Sequence, residues 1–512
     1  MAGKKPNVLF ILTDDQGIWS MGCYGNSEIQ TPNLDKLAKQ GVRFDNFFCT
    51  SPVCSPARAS LLTGKIPSQH GILDYLSGGN GGASQAAIEF LKDHRGYTDI
   101  LAEEGYTCGL SGKWHLGDGG HPQKGFSFWY AHQKGGGPYY NAPMFRNGQK
   151  IEEKGYITDV ITDEAISFID REKNKEQPFY LSVHYTAPHS PWINCHPKKY
   201  TDLYEDCPFE TCPQGEVHPW AKTEVIAGYQ KPRESLIGYF AAVTAMDDNV
   251  GRILKKLEEE NLMEDTLIIF SSDNGFNCGH HGIWGKGNGT FPLNMYDSSV
   301  KVPLIMCHKG HIPENHVCDE MHSGYDFMPT LLDYLGFKND EADKLPGKSF
   351  LSALMGQEQK GEENSVVVFD EYGPVRMIRS RKYKLVHRYP FGPDEFYDLE
   401  VDPGEAYNGI EDESYQDVIR DMKKQMEDFA ALREEFSRLE SQEKAMRKQL
   451  GLPEQGKTDP ASLTPELRKM VEEAEAEARR AGEARAAQAR TAARPAAAGG
   501  IPGGGRRNIV RL

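Results

Sequence analysis

The chain runs to 512 residues, is 38% hydrophobic and 26% charged, and carries a formal net charge of −16. That length predicts two domains plus an appendage, and the acidic balance excludes a general nucleic-acid role. No apolar run is long enough to span a bilayer, and ten cysteines do not make a disulfide scaffold in a chain this long. The N-terminus leads straight into an apolar strand without a signal-peptide stretch, which predicts a cytoplasmic protein unless an export signal was trimmed.

Taken in order, Asn7-Val8-Leu9-Phe10-Ile11-Leu12 reads as a strand buried on both faces. It ends in Asp14-Asp15, adjacent carboxylates that a divalent cation, or plain solvation, would relieve. Residues 31–38 read as a capped amphipathic helix. Next comes Ser51-Pro52-Val53-Cys54-Ser55-Pro56-Ala57-Arg58. Pro56 suits a first helical turn, so Cys54 falls at or just before a helix N-terminus, where free N–H groups favour an anion. Arg58 adds a forked cation. The same pattern also fits a small buried thiol beside a surface Arg. Residues 77–84, rich in glycine, read as a loop near this site. A helix over 98–104, closed by Gly105, leads into a short strand over 106–111. That strand delivers Lys113 and His115, which share a face if the segment stays extended and otherwise decorate an ordinary loop.

Residues 126–140, aromatic and glycine-rich through Lys134-Gly135-Gly136-Gly137, read as an irregular, pocket-shaping segment. A helix over 159–172 precedes a strand over 178–185, beyond which lies His189. Residues 193–232 read as an insertion loop, with Cys207 and Cys212 as unlinked thiols, a local disulfide or, with His218, a metal clip. A helix over 233–261 is followed by a buried strand, 266–270, that ends near Asp273-Asn274. The loop after it carries His280, His281 and Lys286. A strand over 302–306 and a helix over 326–335 come next. Beyond 360, short β-branched runs separated by turn residues predict a small antiparallel sheet. Residues 415–450 read as a long charged helix, and the tail has eight arginines against one acid between Arg479 and Arg511.

Four strand ends thus present Asp14-Asp15, Lys113 with His115, His189 and Asp273-Asn274 where ligands gather in α/β sheets. Three carboxylates and an amide oxygen favour Ca²⁺ or Mg²⁺ over Zn²⁺. Arg58, Lys113 and Lys286 offer cations for a tetrahedral oxyanion, and His115 and His189 can move protons near neutral pH. Such a set around a nucleophile suits hydrolysis of a sulfate or phosphate ester.

Pro52 to Gly64 resembles the type I sulfatase signature, in which Cys-x-Pro-x-Arg opens a run ending in Thr-Gly. Gly105 to His115 resembles the family's second signature, with Cys108 where Ser or Thr is usual. Asp14, Asp15, His189, Asp273, Asn274 and Lys286 follow in the family's order, and the likeness extends from about residue 5 to about 410. It implies an alkaline-phosphatase-like α/β fold, with a mixed sheet flanked by helices and a smaller C-terminal domain with a short antiparallel sheet. Residues 1–360 would be the catalytic domain and 361–453 the C-terminal part, with 454–512 a charged, partly helical to disordered tail.

The resemblance also implies that a maturation enzyme converts Cys54 to formylglycine, whose hydrate attacks sulfur. Asp14, Asp15, Asp273, Asn274 and the modified Cys54 would hold Ca²⁺ or Mg²⁺. His189, with Lys286, would protonate the leaving oxygen. His115 would take the hydrate proton, and Arg58 and Lys113 would hold negative charge. The substrate would be a small-molecule or oligosaccharide sulfate ester, with Trp192, Trp220, Trp284 and the 126–140 segment suited to stacking on a sugar or aryl ring. Two alternatives stay open: a formylglycine-dependent phosphodiesterase or phosphonate monoester hydrolase, and a non-catalytic anion-binding protein in which Cys54 remains a thiol.

Overall fold

In a computed structural model, residues 5–79, 87–223, 227–357, 364–371, 373–388 and 392–429 are described. The apolar run near the N-terminus forms strand β1 (Asn7–Thr13), buried along its whole length. With β2 (Val42–Phe48), β3 (Thr107–Gly112), β4 (Phe126–His132), β5 (Ala142–Arg146), β6 (Gln149–Glu153), β7 (Phe179–His184) and β8 (Thr266–Ser272) it enters a ten-stranded sheet. After a two-residue pair, β9 (Asn277–Cys278) and β10 (Trp284–Gly285), strands β11 (Leu304–Cys307) and β12 (His316–Ser323) complete it. The order is β12-β2-β11-β8-β1-β7-β3-β4-β5-β6.

Strands β8, β1, β7, β3 and β4 run parallel, with Val8 opposite both Tyr180 and Leu267. Their carboxyl ends therefore lie along one edge. β11 runs antiparallel to β8 and β2, and the β5–β6 hairpin closes the far side. Side chains alternate across a strand, so Phe10 and Leu12 pack with Tyr97, Phe327 and Leu331, whereas Leu9 and Ile11 pack with Phe168, Tyr239 and Val243. The second layer is built on helices Ile157–Glu172 and Pro232–Glu259.

A four-stranded antiparallel sheet follows: β13 (Val366–Asp370), β14 (Val375–Arg379), β15 (Tyr383–Arg388) and β16 (Glu395–Asp398). Ile419, Met422 and Met426 of helix Gln416–Asp428 pack with its Val367, Phe369 and Phe396. The remainder of the expected 415–450 helix and the tail lie outside the described residues, as do residues 80–86 of the glycine-rich loop. Among the described residues no helix is long and apolar enough to cross a membrane.

Four points need correction. Residues 126–132 are not irregular but form β4, because Trp129, Tyr130 and Ala131 fill the core on both sides of the sheet. The 193–232 segment contains short helices, at Lys198–Thr201 and Ala227–Gln230, and is anchored by buried Tyr200, Tyr204 and Phe209. Strands β2, β5, β6 and β12 were not anticipated; their charged residues interrupt the apolar pattern. Cys207 and Cys212 are free thiols, so the disulfide reading falls.

Candidate active site

Cys54 begins helix Cys54–Thr63, which Gly64 ends in a left-handed turn (φ 67°). Val53 before it is extended and offers no side-chain cap, so the helix N–H groups stay open to an anion. Cys54 is buried, with the Lys286 Nζ 3.6 Å from its Sγ. Burial pushes the thiol above its usual value, outweighing Lys113 and Lys286, which pull it down. As a thiol it stays protonated and is a weak nucleophile at neutral pH.

Asp14 and Asp15 follow β1. On an extended strand they would face opposite ways, but Asp15 adopts a left-handed backbone (φ 61°), and the Tyr239 hydroxyl donates to its carbonyl at 2.9 Å. Acceptor atoms of Asp14, Asp15 and His189 then lie within 4.8 Å of one another, as do those of Asp14, Cys54 and Asp273. Lys113 pairs with Asp14, and Lys286 pairs with Asp15. Burial raises both carboxyls, but Lys113 for Asp14 and Lys286 for Asp15, each helped by His189, bring them below the usual value. Asp273 goes the other way: burial and the Asp14 charge lift it, against Arg58.

Asp273 Oδ2 accepts from Arg58 Nε at 2.8 Å, and its Oδ1 accepts from the backbone N–H of Asp15 (3.2 Å) and of Asn274 (2.8 Å). Arg58 also donates to the carbonyls of Lys113 (3.3 Å) and Thr13 (3.5 Å), so it bolts two strand ends to Asp273. The Asn274 amide donates to Asp15 Oδ1 at 2.7 Å, which turns its carbonyl oxygen away. Asn274 Oδ1 and Asp14 Oδ1 are both buried without a hydrogen-bond partner. Each such orphan costs about 1–3 kcal/mol. An orphaned oxygen on Asp14, in a cluster with the ligand atoms of Asp15, His189, Cys54 and Asp273, is what a hard divalent cation requires, so the residues present fit Ca²⁺ or Mg²⁺.

The two histidines are held differently. His115 also has a left-handed backbone (φ 55°), so it does not share a face with Lys113 by strand alternation. Its Nε2 lies 3.1 Å from the Leu76 carbonyl and must donate to it, leaving the buried Nδ1 unpartnered with its lone pair. Burial, then Lys113 and Arg58, drive its pKa well below 6.5, so the ring is neutral at pH 7. His189 donates from Nδ1 to the Ser190 carbonyl at 2.7 Å and turns Nε2 toward Asp15 Oδ2, 3.7 Å away.

Several contributors left little trace in the sequence. Ser55 Oγ accepts from the Leu76 N–H at 3.0 Å, and the Tyr139 hydroxyl donates to the His189 carbonyl at 2.9 Å. Gly135 and Gly136 are dictated by space: a Cβ would fall 2.1 Å from the His115 ring at the first and 2.9 Å from His189 Cε1 at the second. The run was visible; what it leans on was not. The stacking role expected of the tryptophans fails for Trp192 and Trp284, which are buried and pack on each other at 5.9 Å. Trp220 instead lies under the Arg388 guanidinium.

Residues 6–337 match the Sulfatase family, and residues 279–432 match the family described as N-sulphoglucosamine sulphohydrolase, C-terminal. The chain is 30% identical to an N-acetylglucosamine-6-O-sulfatase of Bacteroides thetaiotaomicron, over 79% of this chain and 82% of that one. It is also 30% identical to a choline-sulfatase of Rhizobium meliloti, over 86% and 91%. A solved structure in complex with its substrate, D-glucosamine-2-N,6-O-disulfate, superposes with a TM-score of 0.71 at 26% identity, covering 83% of this chain and 97% of that one. With a carboxylate-rich floor beneath a cysteine at a helix start, and these matches across both parts of the fold, the chain belongs to the sulfatase family of the alkaline phosphatase superfamily and is a sulfuric ester hydrolase.

Proposed function

We propose that the protein hydrolyses the sulfate ester of a carbohydrate, using a formylglycine made from Cys54. The observation that carries this reading is the pairing of a poorly nucleophilic, buried Cys54 with two orphaned oxygens and an ammonium group 3.6 Å away. Cys54-x-Pro56-x-Arg58 is the segment a maturation enzyme would recognise, and Cys54 Sγ stands where an oxygen of the modified residue would sit. One match is named for N-acetylglucosamine 6-O-sulfate hydrolysis and one solved structure holds a sulfated glucosamine, which supports a sugar substrate.

Asp14, Asp15, Asp273 and Asn274 would hold Ca²⁺ or Mg²⁺, which when bound supplies charge stabilisation to the sulfate oxygens. Lys113 and Lys286 keep Asp14 and Asp15 ionised for that task. With Nδ1 donating to the Ser190 carbonyl, His189 in its imidazolium form would give the leaving alcohol oxygen the proton on Nε2, the nitrogen turned toward Asp15 Oδ2. His115 Nδ1, neutral and unpartnered, accepts the proton given up beside Cys54.

Mass spectrometry of the Cys54 peptide from active protein, beside turnover of a chromogenic aryl sulfate and the matching aryl phosphodiester, tests the reading. An aldehyde at position 54 and preference for the sulfate are expected. An unmodified thiol in active protein, or preference for the phosphodiester, overturns it.

A further inference from the structure

The sulfate end of the site is described above; the alcohol half of the ester must be recognised by groups on the rim. Residues 71–79 are tied to the site at Leu76. The Leu76 N–H donates to Ser55 Oγ (3.0 Å), beside the nucleophile, and its carbonyl accepts from His115 Nε2 (3.1 Å). The two preceding residues are thereby held next to the chemistry. Asp74 is half-buried, and its Oδ1 accepts from the Tyr75 N–H at 2.7 Å. Burial lifts its carboxyl, and the Lys222 and Lys286 ammonium groups pull the other way. Asp74 thus lies within electrostatic range of Lys286, whose Nζ is 3.6 Å from Cys54 Sγ. Tyr75 is 52% exposed, and its ring packs on no other ring among the described residues. A lone exposed tyrosine is ordinary; one tethered a single residue from a contact of both Ser55 and His115 is not. Of the other aromatic residues considered for stacking, Trp192, Trp284 and Tyr139 are buried, and Trp220 lies under the Arg388 guanidinium.

We propose that Asp74 and Tyr75 are specificity-determining residues, Tyr75 stacking on the apolar face of a pyranose and Asp74 accepting hydrogen bonds from its hydroxyl groups. An aromatic face beside a carboxylate matches the alternating apolar faces and hydroxyl edges of a sugar ring. This rests on the carbohydrate sulfatase reading above.

The test compares kcat and KM of wild type, Asp74→Asn, Tyr75→Ala and Tyr75→Phe on N-acetylglucosamine 6-sulfate and on a chromogenic aryl sulfate. Asp74→Asn is expected to lower the sugar-to-aryl ratio of kcat/KM about tenfold, the scale of one lost substrate hydrogen bond. Tyr75→Ala should raise the sugar KM about tenfold, with Tyr75→Phe restoring it because the stacking face returns. Equal losses on both esters, carried by kcat, would mean that Asp74 acts through Lys286 and would overturn the proposal; unchanged ratios would do the same. Wild type that turns over aryl sulfate but no sulfated sugar overturns this assignment and leaves the sulfatase reading standing. Turnover of neither ester overturns both.

Discussion

Two buried clusters of charge among the described residues behave in opposite ways. Under the active site, Asp14, Asp15 and Asp273 meet Lys113, Lys286 and Arg58. Beneath the antiparallel sheet, Asp297, Glu405 and Glu395 meet Lys384, Arg379 and Arg388. In the second cluster the oxygens of the first two acids are all taken. Asp297 accepts from Lys384 (2.8 Å) and Arg379 (3.2 Å), and Glu405 accepts from Lys384 and from the Asp297 N–H (2.7 Å). It joins β14 and β15 to the loop that follows Lys286. In the first cluster Asp14 Oδ1 and Asn274 Oδ1 remain unpaired. Charge burial is common to both clusters; the one at the active site is the one in which oxygens are left over after pairing.

The sharpest test of that difference is Asp273→Ala, which removes a carboxylate from the open cluster. It should lower kcat/KM by about a thousandfold or more, measured on aryl sulfate, and near-normal turnover would erase the distinction. Lys384→Met breaks the closed cluster instead. Leaving Asp297 and Glu405 unpaired should cost about 3–5 kcal/mol of stability, read by denaturant unfolding, with kcat/KM of the folded fraction close to wild type. A catalytic defect of the Asp273→Ala size would show that the two clusters are not independent.

Removal of divalent ions with a chelator should lower Tm, and Ca²⁺ or Mg²⁺ should restore it, adding about 2.7 kcal/mol to the unfolding free energy at a hundredfold excess over Kd. Lys384→Met should retain this shift and Asp273→Ala should lose it; a shift preserved in both places the ion elsewhere. Gly136→Ala probes how tightly the open cluster's histidine is held. Moving His189 aside should lower kcat about tenfold to a hundredfold, more than Gly137→Ala, whose Cβ would press on Pro191 Cδ (2.8 Å) and reach the Ser190 carbonyl (3.5 Å) but not the His189 ring.

The smallest effect concerns Asp394, which ties β15 to helix Gln416–Asp428 through His387 Nδ1 (2.8 Å), the Arg388 N–H (3.0 Å) and Lys423 Nζ (3.1 Å). Burial works against the charge, but these partners hold its carboxyl at about 2. A depressed carboxyl stabilises the fold above its unfolded value and loses that contribution as pH falls through the folded one. The stability gap between wild type and Asp394→Asn should therefore be about 1 kcal/mol near pH 6 and vanish as pH falls from about 4 to 2. A gap that persists at pH 2 assigns the effect to packing.

Much of the site was legible in linear order. Strand ends at Thr13, Gly112 and Ser272, and a helix starting at Cys54, follow from local apolar runs and from Pro56. The small antiparallel sheet was legible too, from β-branched runs between turns. What misled was chemistry shared by core and pocket: Trp129, Trp192 and Trp284 are the residue type that stacks on a sugar and also the type that fills a core. Strand β2, Val42-Arg43-Phe44-Asp45-Asn46-Phe47-Phe48, was hidden because its polar residues break the apolar run that marks a parallel strand.

The sequence by itself determined which groups stand at the strand ends and the helix start, because periodicity and turn chemistry act over a few residues. Only the tertiary structure decided how they are used. The left-handed turn at Asp15 is braced by Tyr239, the choice of orphaned oxygen on Asn274 is made by Asp15, and the room left by Gly135 and Gly136 is taken by His115 and His189. Each of those outcomes depends on partners from separate elements of the chain, and a buried oxygen becomes a ligand only when none of them supplies it a proton.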